Sequence, residues 1–154
     1  PYSFSKWQNS ELVKFYCEHC NIPYAITYFY NVYGGRENPD GEYATVVAKF
    51  LSRHRMKKKL YVTKPGTQTR NFTYIEDTID ALKIIAEKGT GDEYGIASPN
   101  IYSIDEVAKL ISNNIEYVKE NPANRMSSQV ITKKILALGW KPRQELFDYI
   151  KNNL

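Results

Sequence analysis

The apolar positions of the first thirty residues predict a helix followed by a strand. Residues 3–20 contain neither Gly nor Pro, and apolar side chains recur at the helical spacing i, i+3, i+4 and i+7, at Val13, Tyr16, Cys17 and Cys20. Residues 24–30 form an almost uninterrupted aromatic and β-branched run, which is typical of a strand buried on both faces of a parallel sheet. A helix followed closely by such a strand predicts an α/β architecture.

The rest of the chain alternates between helical and extended patterns. Turn residues fill positions 31–41, at the C-terminal end of the predicted strand, where open α/β sheets bind ligands. The clearest helix start is the capping box that begins at Ser103. The patterns predict further helices at 43–54, 79–86, 104–111, 132–138 and 146–154, and short strands at 60–63, 72–75, 94–98 and 115–118.

Length and composition narrow the class of protein. A chain of 154 residues predicts about one domain, and 42% hydrophobic with 25% charged residues is typical of a soluble globular protein. No apolar run approaches the ~18 residues that a membrane span needs, so we expect no membrane attachment. Two cysteines and no leader-like segment predict a reducing, cytoplasmic setting.

The charge pattern favours a small anionic ligand over nucleic acid. The net charge is +4, which is a mild excess. Residues 53–59 (RHRMKKK) are basic enough to bind phosphate or nucleic acid. However, cations are also expected near the negative end of a helix dipole, and no spaced aromatic platform accompanies this tract. We therefore expect a solvated helix end and no nucleic-acid partner.

One short motif has the spacing of a metal site. Residues 17–20 read Cys-Glu-His-Cys, and His54 could in principle join them around zinc. A second ligand pair at metal spacing is missing, and both cysteines lie on the apolar stripe of the first helix. This pattern predicts buried structural cysteines and no metal.

The first helix carries a pair of side chains that is suited to proton transfer. Tyr2 and Lys6 are four residues apart and so project from the same helix face. An ammonium within ~5 Å of a phenol, at an effective dielectric constant of ~20, favours the phenolate by roughly 3 kcal/mol. Such a pair can supply a general base for a sugar hydroxyl. Taken alone, the same spacing also fits an ordinary surface pair.

Five segments in a fixed order resemble a known family. They are Y-x-x-x-K at 2–6, FYNVYGGR at 29–36, TRNFTYIED at 69–77, YSIDEVA at 102–108 and LGWKP at 138–142. Together they resemble the C-terminal part of the extended short-chain dehydrogenase/reductases, and most closely the NAD-dependent sugar-nucleotide epimerases and dehydratases, such as UDP-glucose 4-epimerase.

The resemblance implies a fold and a division of the chain. The fold is the C-terminal part of a Rossmann-like NAD(P)-binding α/β protein, together with its small α/β substrate-binding domain. Residues 1–33 correspond to the end of the dinucleotide-binding domain. Residues 34–154 correspond mostly to the substrate-binding domain. Within them, residues 71–98 contribute elements to the sheet of the dinucleotide-binding domain.

The resemblance also implies roles for seven residues. Tyr2 matches the catalytic base, and Lys6 matches the lysine that promotes its ionisation and hydrogen-bonds the nicotinamide ribose. Phe29 and Tyr30 fall where the family places residues against the nicotinamide. The residues that would contact the diphosphate of a nucleotide sugar are Asn31, Arg70 and, as a second arginine, Arg125. The implied cofactor is NAD rather than NADP.

Three departures from the family pattern qualify these expectations. The chain has Lys64-Pro65-Gly66 where the family has Gly-Asp-Gly, and Arg70-Asn71 where it has Arg-Asp, which predicts an altered substrate loop. The glycine-rich dinucleotide loop, which the family carries upstream of the tyrosine, does not occur in these residues.

The missing loop leads to two alternatives. We expect the chain to be the substrate-binding part of a longer enzyme, and the alternative is a noncatalytic module that binds nucleotide sugars. In either case the apolar helix face and an unpaired strand edge predict a homodimer.

Overall fold

A computed structural model describes residues 2–41, 43–119 and 125–154, with helices and strands in alternation. In chain order the elements are α1 (Tyr2–His19), β1 (Ala25–Phe29), β2 (Val32–Tyr33), α2 (Val46–Arg55), β3 (Leu60–Thr63), β4 (Thr69–Asn71), β5 (Thr73–Tyr74), α3 (Ile75–Lys88), β6 (Gly91–Ile96), β7 (Ile101–Ser103), α4 (Ile104–Ile111), β8 (Ile115–Val118), α5 (Lys133–Ala137) and α6 (Leu146–Lys151).

The strands pair mostly in parallel. β1 pairs with β6, β2 with β5 and β3 with β8, all in parallel, whereas β4 and β7 are antiparallel. Parallel partners require crossover connections, and helices lie in these connections here, as α2 does between β2 and β5. The predicted α/β class is confirmed.

Two hydrophobic clusters form the core. The larger lies among α2, α4, α6 and β3, and its fully buried members include Val47, Leu60, Val62, Val107 and Ile150. The smaller joins α3, β6 and α5 around Ala81, Ile85, Ile96, Ile135 and Trp140. No helix among the described residues is long and apolar enough to cross a membrane.

Local sequence chemistry sets two of the helix starts. The predicted capping box is present, because the Ser103 hydroxyl accepts from the Glu106 amide and the Glu106 side chain accepts from the Ser103 amide. Helix α2 begins at Val46 rather than at 43, because the Thr45 hydroxyl caps it by accepting from the amide of Ala48. Tyr43 therefore lies outside the helix and is exposed.

The prediction of a buried stripe on α1 is wrong for this chain. The helix forms, but it buries no residue: Val13, Tyr16 and Cys20 are exposed and Cys17 is half-buried. Among the described residues, no element packs over this face. The strand predicted at 24–30 is likewise only half-buried, and Phe29 is exposed, so the expectation of burial on both faces is also wrong.

Three strands lie where loops were expected. β2, β4 and β7 contain only two or three residues each, which is too short for an alternating pattern to register. β2 follows the end of β1 closely. β4 begins shortly after Lys64-Pro65-Gly66, the segment that departs from the family pattern. β2 directly follows Asn31 and β4 contains Arg70, so short strands fix the backbone at two of the residues predicted to bind the diphosphate.

Candidate functional site

The seven site residues predicted from the sequence lie along one groove of about 1080 Å³. Helix α1 contributes two of them, the end of β1 and the residues after it contribute three, and β4 and the segment after β8 contribute the arginines: Tyr2, Lys6, Phe29, Tyr30, Asn31, Arg70 and Arg125. The fold therefore brings all seven to one surface, and their individual roles stay predictions.

The Tyr/Lys pair lies at the start of α1, open to solvent. The Lys6 ammonium nitrogen is 5.6 Å from the centroid of the Tyr2 ring, and Tyr2 is 74% exposed. One helical turn therefore holds a cation beside a phenol at the groove wall. A phenol and an ammonium group therefore lie side by side where a ligand in the groove can contact both.

A network of hydrogen bonds fixes the chain where β1 ends. The Thr73 hydroxyl donates to the carbonyl oxygen of Tyr30 at 3.1 Å, and the Thr73 amide donates to the carbonyl oxygen of Asn31 at 3.3 Å. Asn31 has a left-handed backbone (φ 42°), which asparagine tolerates better than most residues. Its side-chain amide donates to the carbonyl oxygen of Asn71 at 2.9 Å. The network positions Asn31 at the groove.

Asn71 has a structural role at its departure from the family pattern. Its side chain is buried, and its amide nitrogen donates to the carbonyl oxygen of Ser98 at 2.9 Å. A carboxylate has no hydrogen to donate to that carbonyl. The asparagine therefore connects β4 to the end of β6, and it fits a local arrangement that an aspartate in the same place could not make.

The two arginines make one end of the groove positive. Arg70 is half-buried and donates from Nη1 to the carbonyl oxygen of Thr69 at 2.7 Å. Burial and the nearby Arg125 guanidinium lower the pKa of Arg70. Within the described residues neither arginine forms an ion pair with a carboxylate. Two guanidinium groups that have no carboxylate partner among the described residues have the charge and hydrogen-bond donors that suit a phosphate or diphosphate.

An ion pair that the sequence did not indicate attaches α1 to the sheet. The Lys14 ammonium, which lines the groove, lies 2.5 Å from Oδ2 of Asp92 in β6. Oδ1 of Asp92 also accepts from the Tyr28 hydroxyl at 2.9 Å. Burial opposes ionisation of this carboxyl, but Lys14, the Glu93 amide and Tyr28 together lower the pKa of Asp92. The carboxylate thus holds the helix that carries Tyr2 against β1 and β6.

A second, smaller cavity adjoins the groove. It has a volume of about 290 Å³ and shares Asn31 and Arg70 with the groove. Its other walls are mostly apolar and come from α2, β3 and the residues around β4; they are Val32, Thr45, Val46, Val47, Phe50, Tyr61, Thr63, Gln68, Phe72 and Ile104. This cavity could not be predicted from the sequence, because its lining residues come from five separate segments.

The basic tract and the cysteines lie apart from the groove. His54, Arg55, Lys57 and Lys58 line a separate cavity at the C-terminal end of α2, and none of them lines the groove. Both cysteines are free, and Cys20 is exposed, so the prediction of buried structural cysteines is wrong for this chain. No group of three or more potential metal ligands is found among the residues the structure describes.

Known proteins with similar sequences are enzymes of nucleotide-sugar metabolism. Residues 1–97 match the NAD dependent epimerase/dehydratase family. The human dTDP-D-glucose 4,6-dehydratase is 30% identical over 168 residues, covering 100% of this chain and 47% of that protein. A putative UDP-glucose 4-epimerase of Methanocaldococcus jannaschii is 31% identical over 157 residues, covering 98% of this chain and 51% of that protein. The chain thus spans about half the length of the curated relatives it matches.

Solved structures agree with this grouping. The UDP-glucose 4-epimerase of Thermotoga maritima, solved with UDP-glucose, superposes with a TM-score of 0.91 at 25% identity, covering 98% of this chain and 51% of that one. The Thermus thermophilus UDP-glucose 4-epimerase, solved with NAD, shares the fold with a TM-score of 0.88 at 22% identity, with the same coverage of 98% and 51%.

The family match covers the part of the chain that builds the groove. Residues 1–97 include every element from α1 to β6, and these elements carry or adjoin all the groove residues predicted from the sequence except Arg125. The hydrogen bonds that Asn31 and Thr73 donate at the end of β1 also lie within the matched residues. The chain belongs to the NAD-dependent epimerase/dehydratase family.

Proposed function

We propose that this chain is the substrate-binding part of a longer NAD-dependent epimerase or dehydratase that acts on nucleotide-diphosphate sugars. The observation that carries the proposal is the groove itself, which is lined both by the guanidinium groups of Arg70 and Arg125 and by the Tyr2/Lys6 pair. The two guanidinium groups suit a diphosphate, and the Tyr/Lys pair suits proton transfer at a sugar hydroxyl.

The proposed reaction divides between binding and proton transfer. Arg70 and Arg125 hold the diphosphate, and Asn31 hydrogen-bonds its nearer oxygens, so that the sugar extends along the groove toward α1. The Lys6 ammonium stabilises Tyr2 as a phenolate, which takes the proton of a sugar hydroxyl and becomes a neutral phenol. In an epimerisation Tyr2 gives this proton back to the sugar oxygen when hydride, which NAD would carry, returns to the opposite face of the carbon, whereas a dehydration requires further groups.

The residues at the α1 end fit the nicotinamide portion of NAD. Lys6 offers ammonium donors for ribose hydroxyls, and Phe29, which is 55% exposed, offers a flat apolar surface beside Tyr30. When bound, NAD supplies the oxidising and reducing power of the reaction. The residues that would hold it in this chain are Tyr2, Lys6, Phe29 and Tyr30.

Binding of a nucleotide sugar tests the proposal. We expect UDP-glucose to bind the purified chain and Arg70→Met to weaken binding by at least tenfold, because a charge-assisted hydrogen bond to phosphate contributes about 1.5–3 kcal/mol. Calorimetric titration measures both affinities. Lys58→Met removes an exposed cation outside the groove and is the matched control, with an affinity that we expect to be unchanged.

Three results would contradict the proposal. Equal weakening by Lys58→Met and Arg70→Met would indicate diffuse electrostatic attraction rather than a site. Salt-sensitive binding of DNA or RNA through residues 53–59, with no affinity for UDP-glucose, would favour the nucleic-acid alternative. Turnover of a nucleotide sugar by the chain alone with NAD would show that it is more than the substrate-binding part.

We also propose that the protein is a cytoplasmic homodimer formed through α1. The helix exposes large apolar side chains that no described element covers, among them Phe4, Trp7, Leu12, Phe15 and Tyr16. Exposed apolar patches of this kind favour association. Sedimentation at micromolar concentration should therefore give a dimer, and Leu12→Glu should shift it toward monomer. A wild-type chain that sediments as a monodisperse monomer would contradict this proposal.

A further inference from the structure

Residues 126–131, here called the bridging segment, connect β4 to β6 along one wall of the groove. At one end of the segment the Thr69 amide donates to the carbonyl oxygen of Met126 at 2.8 Å. At the other end the Gly95 amide donates to the carbonyl oxygen of Ile131 at 3.0 Å. The bridging segment forms no helix or strand of its own, so its path depends on contacts such as these with the two strands.

Gly95 allows the bridging segment to approach β6. A Cβ atom at position 95 would lie 2.5 Å from the carbonyl oxygen of Ile131 and 2.9 Å from its carbonyl carbon. Both are backbone atoms, so no side-chain rotation could relieve these contacts and the segment itself would have to move. Gly95 is buried within β6, and its φ lies outside the left-handed region. The close approach of Ile131, and not the backbone conformation, therefore requires glycine at this position.

The other end of the bridging segment lies beside the two arginines of the groove. Arg125 directly precedes Met126 and Arg70 directly follows Thr69, so the hydrogen bond between Thr69 and Met126 brings the backbones of the two arginines close together. Burial, and after it the nearby Arg125 guanidinium, lowers the pKa of Arg70, so the two charges are close as well. Because like charges repel, the backbone has to hold these side chains together. The path of the bridging segment therefore decides where the second charge lies.

We propose that Gly95 is a positioning residue for the groove: by allowing the bridging segment to lie against β6, it holds Arg125 beside Arg70. Gly95 does not itself line the groove, so it acts through the segment. Ser128 and Gln129 lie on the same segment and line the groove, so this whole wall depends on the same contact. The inference rests on the proposed function, because it concerns affinity for the same nucleotide sugar.

Calorimetric titration of UDP-glucose into single and double variants of the full chain tests this role. We expect Gly95→Ala to weaken binding by at least about threefold, because displacing the bridging segment moves Arg125 away from the diphosphate and small misplacements of positioned groups are costly. In an Arg125→Met background the same substitution should change the affinity by less than about twofold, because the group that it displaces is already absent. Equal weakening in both backgrounds would indicate a purely structural effect and overturn the inference.

Gly89→Ala is the matched control for the strain that the substitution introduces. The Gly89 amide donates to the carbonyl oxygen of Ile85 at 2.7 Å, and a Cβ atom at position 89 would lie 2.7 Å from that same oxygen. This substitution therefore crowds a comparable hydrogen bond, but at the end of α3 and away from the residues that line the groove. We expect its affinity for UDP-glucose to stay within about twofold of the wild type. Equal weakening by the two glycine substitutions would contradict a specific role for Gly95.

Amide hydrogen exchange of the wild-type chain tests the same coupling without a substitution. If the hydrogen bond between Gly95 and Ile131 supports ligand affinity, bound ligand must stabilise that hydrogen bond in return. The Gly91 amide provides the comparison, because it donates to the carbonyl oxygen of Tyr24 at 2.8 Å at the opposite end of β6. Saturating UDP-glucose should slow exchange of the Gly95 amide at least about threefold more than exchange of the Gly91 amide. Equal slowing of both amides would overturn the inference.

The outcomes separate this inference from the proposed function. UDP-glucose binding that is strongly weakened in Arg70→Met but unchanged in Gly95→Ala would overturn the role of Gly95 and leave the proposed function standing. Absence of UDP-glucose binding by the wild-type chain would overturn both. If Gly95→Ala does not fold, the exchange comparison on the wild-type chain decides the question.

Discussion

Replacing Tyr2 by phenylalanine in an enzyme that carries this chain is expected to reduce turnover of a nucleotide sugar by about 10²–10⁴-fold. The substitution removes the phenolic oxygen that would accept the proton and keeps the aromatic ring. Tyr2 is exposed at the groove and makes no hydrogen bond through its hydroxyl within the described residues, so folding should be unaffected. Steady-state kinetics together with UDP-glucose titration measure turnover and binding separately.

Tyr16→Phe is the matched control for this experiment. Tyr16 lies on the same helix, is exposed, and does not line the groove. We expect it to leave turnover and binding within about twofold of the wild type, as surface substitutions away from special features usually do. If Tyr2→Phe retained full turnover, or lost UDP-glucose binding and turnover in equal measure, Tyr2 would not be the base.

Replacing Asp77 by alanine is expected to destabilise the chain by about 3 kcal/mol, because two hydrogen bonds to a buried carboxylate contribute about 1.5 kcal/mol or more each. Asp77 is 2% exposed, and its Oδ2 accepts from the backbone amides of Arg143 and Gln144, both at 3.0 Å. These bonds attach the segment before α6 to the start of α3. Urea unfolding, followed by circular dichroism, measures the loss.

Asp80→Ala provides the comparison one helical turn away. The Asp80 carboxylate also pairs with Arg143, but the arginine side chain is largely exposed. Exposed ion pairs contribute about 0–1 kcal/mol, so we expect a loss below about 1 kcal/mol. A loss in Asp77→Ala that is no larger than that in Asp80→Ala would show that the buried carboxylate does not anchor the segment.

Local patterns predicted the elements whose stabilising contacts are close in sequence. Helix α4 is the clearest case, since Ser103 caps it and its four predicted stripe residues are all buried: Ile104, Val107, Ala108 and Ile111. Helix α3 shows the limit of this reasoning. Within the predicted helix at 79–86, Ile85 is buried but Ile79 and Leu82 are exposed. The buried face also includes Asp77, because that carboxylate has distant partners that a periodic pattern cannot reveal.

The site also combines features that local sequence predicts with features that depend on contacts between distant segments. The Tyr/Lys spacing is local and could be found in the sequence, and the resemblance to the family suggested the other five residues. The attachment of α1 through Lys14 and Asp92 could not be found in this way, because the two residues belong to elements that meet only in the folded chain.

Locating bound UDP-glucose on the labelled chain by NMR is the most direct test of whether this one groove is the substrate site. We predict that titration perturbs the resonances of Lys6, Asn31 and Arg70 together with a single affinity, because one ligand extends from the arginines to α1. Perturbations confined to residues 53–59, or none at saturating UDP-glucose, would contradict the assignment of the groove.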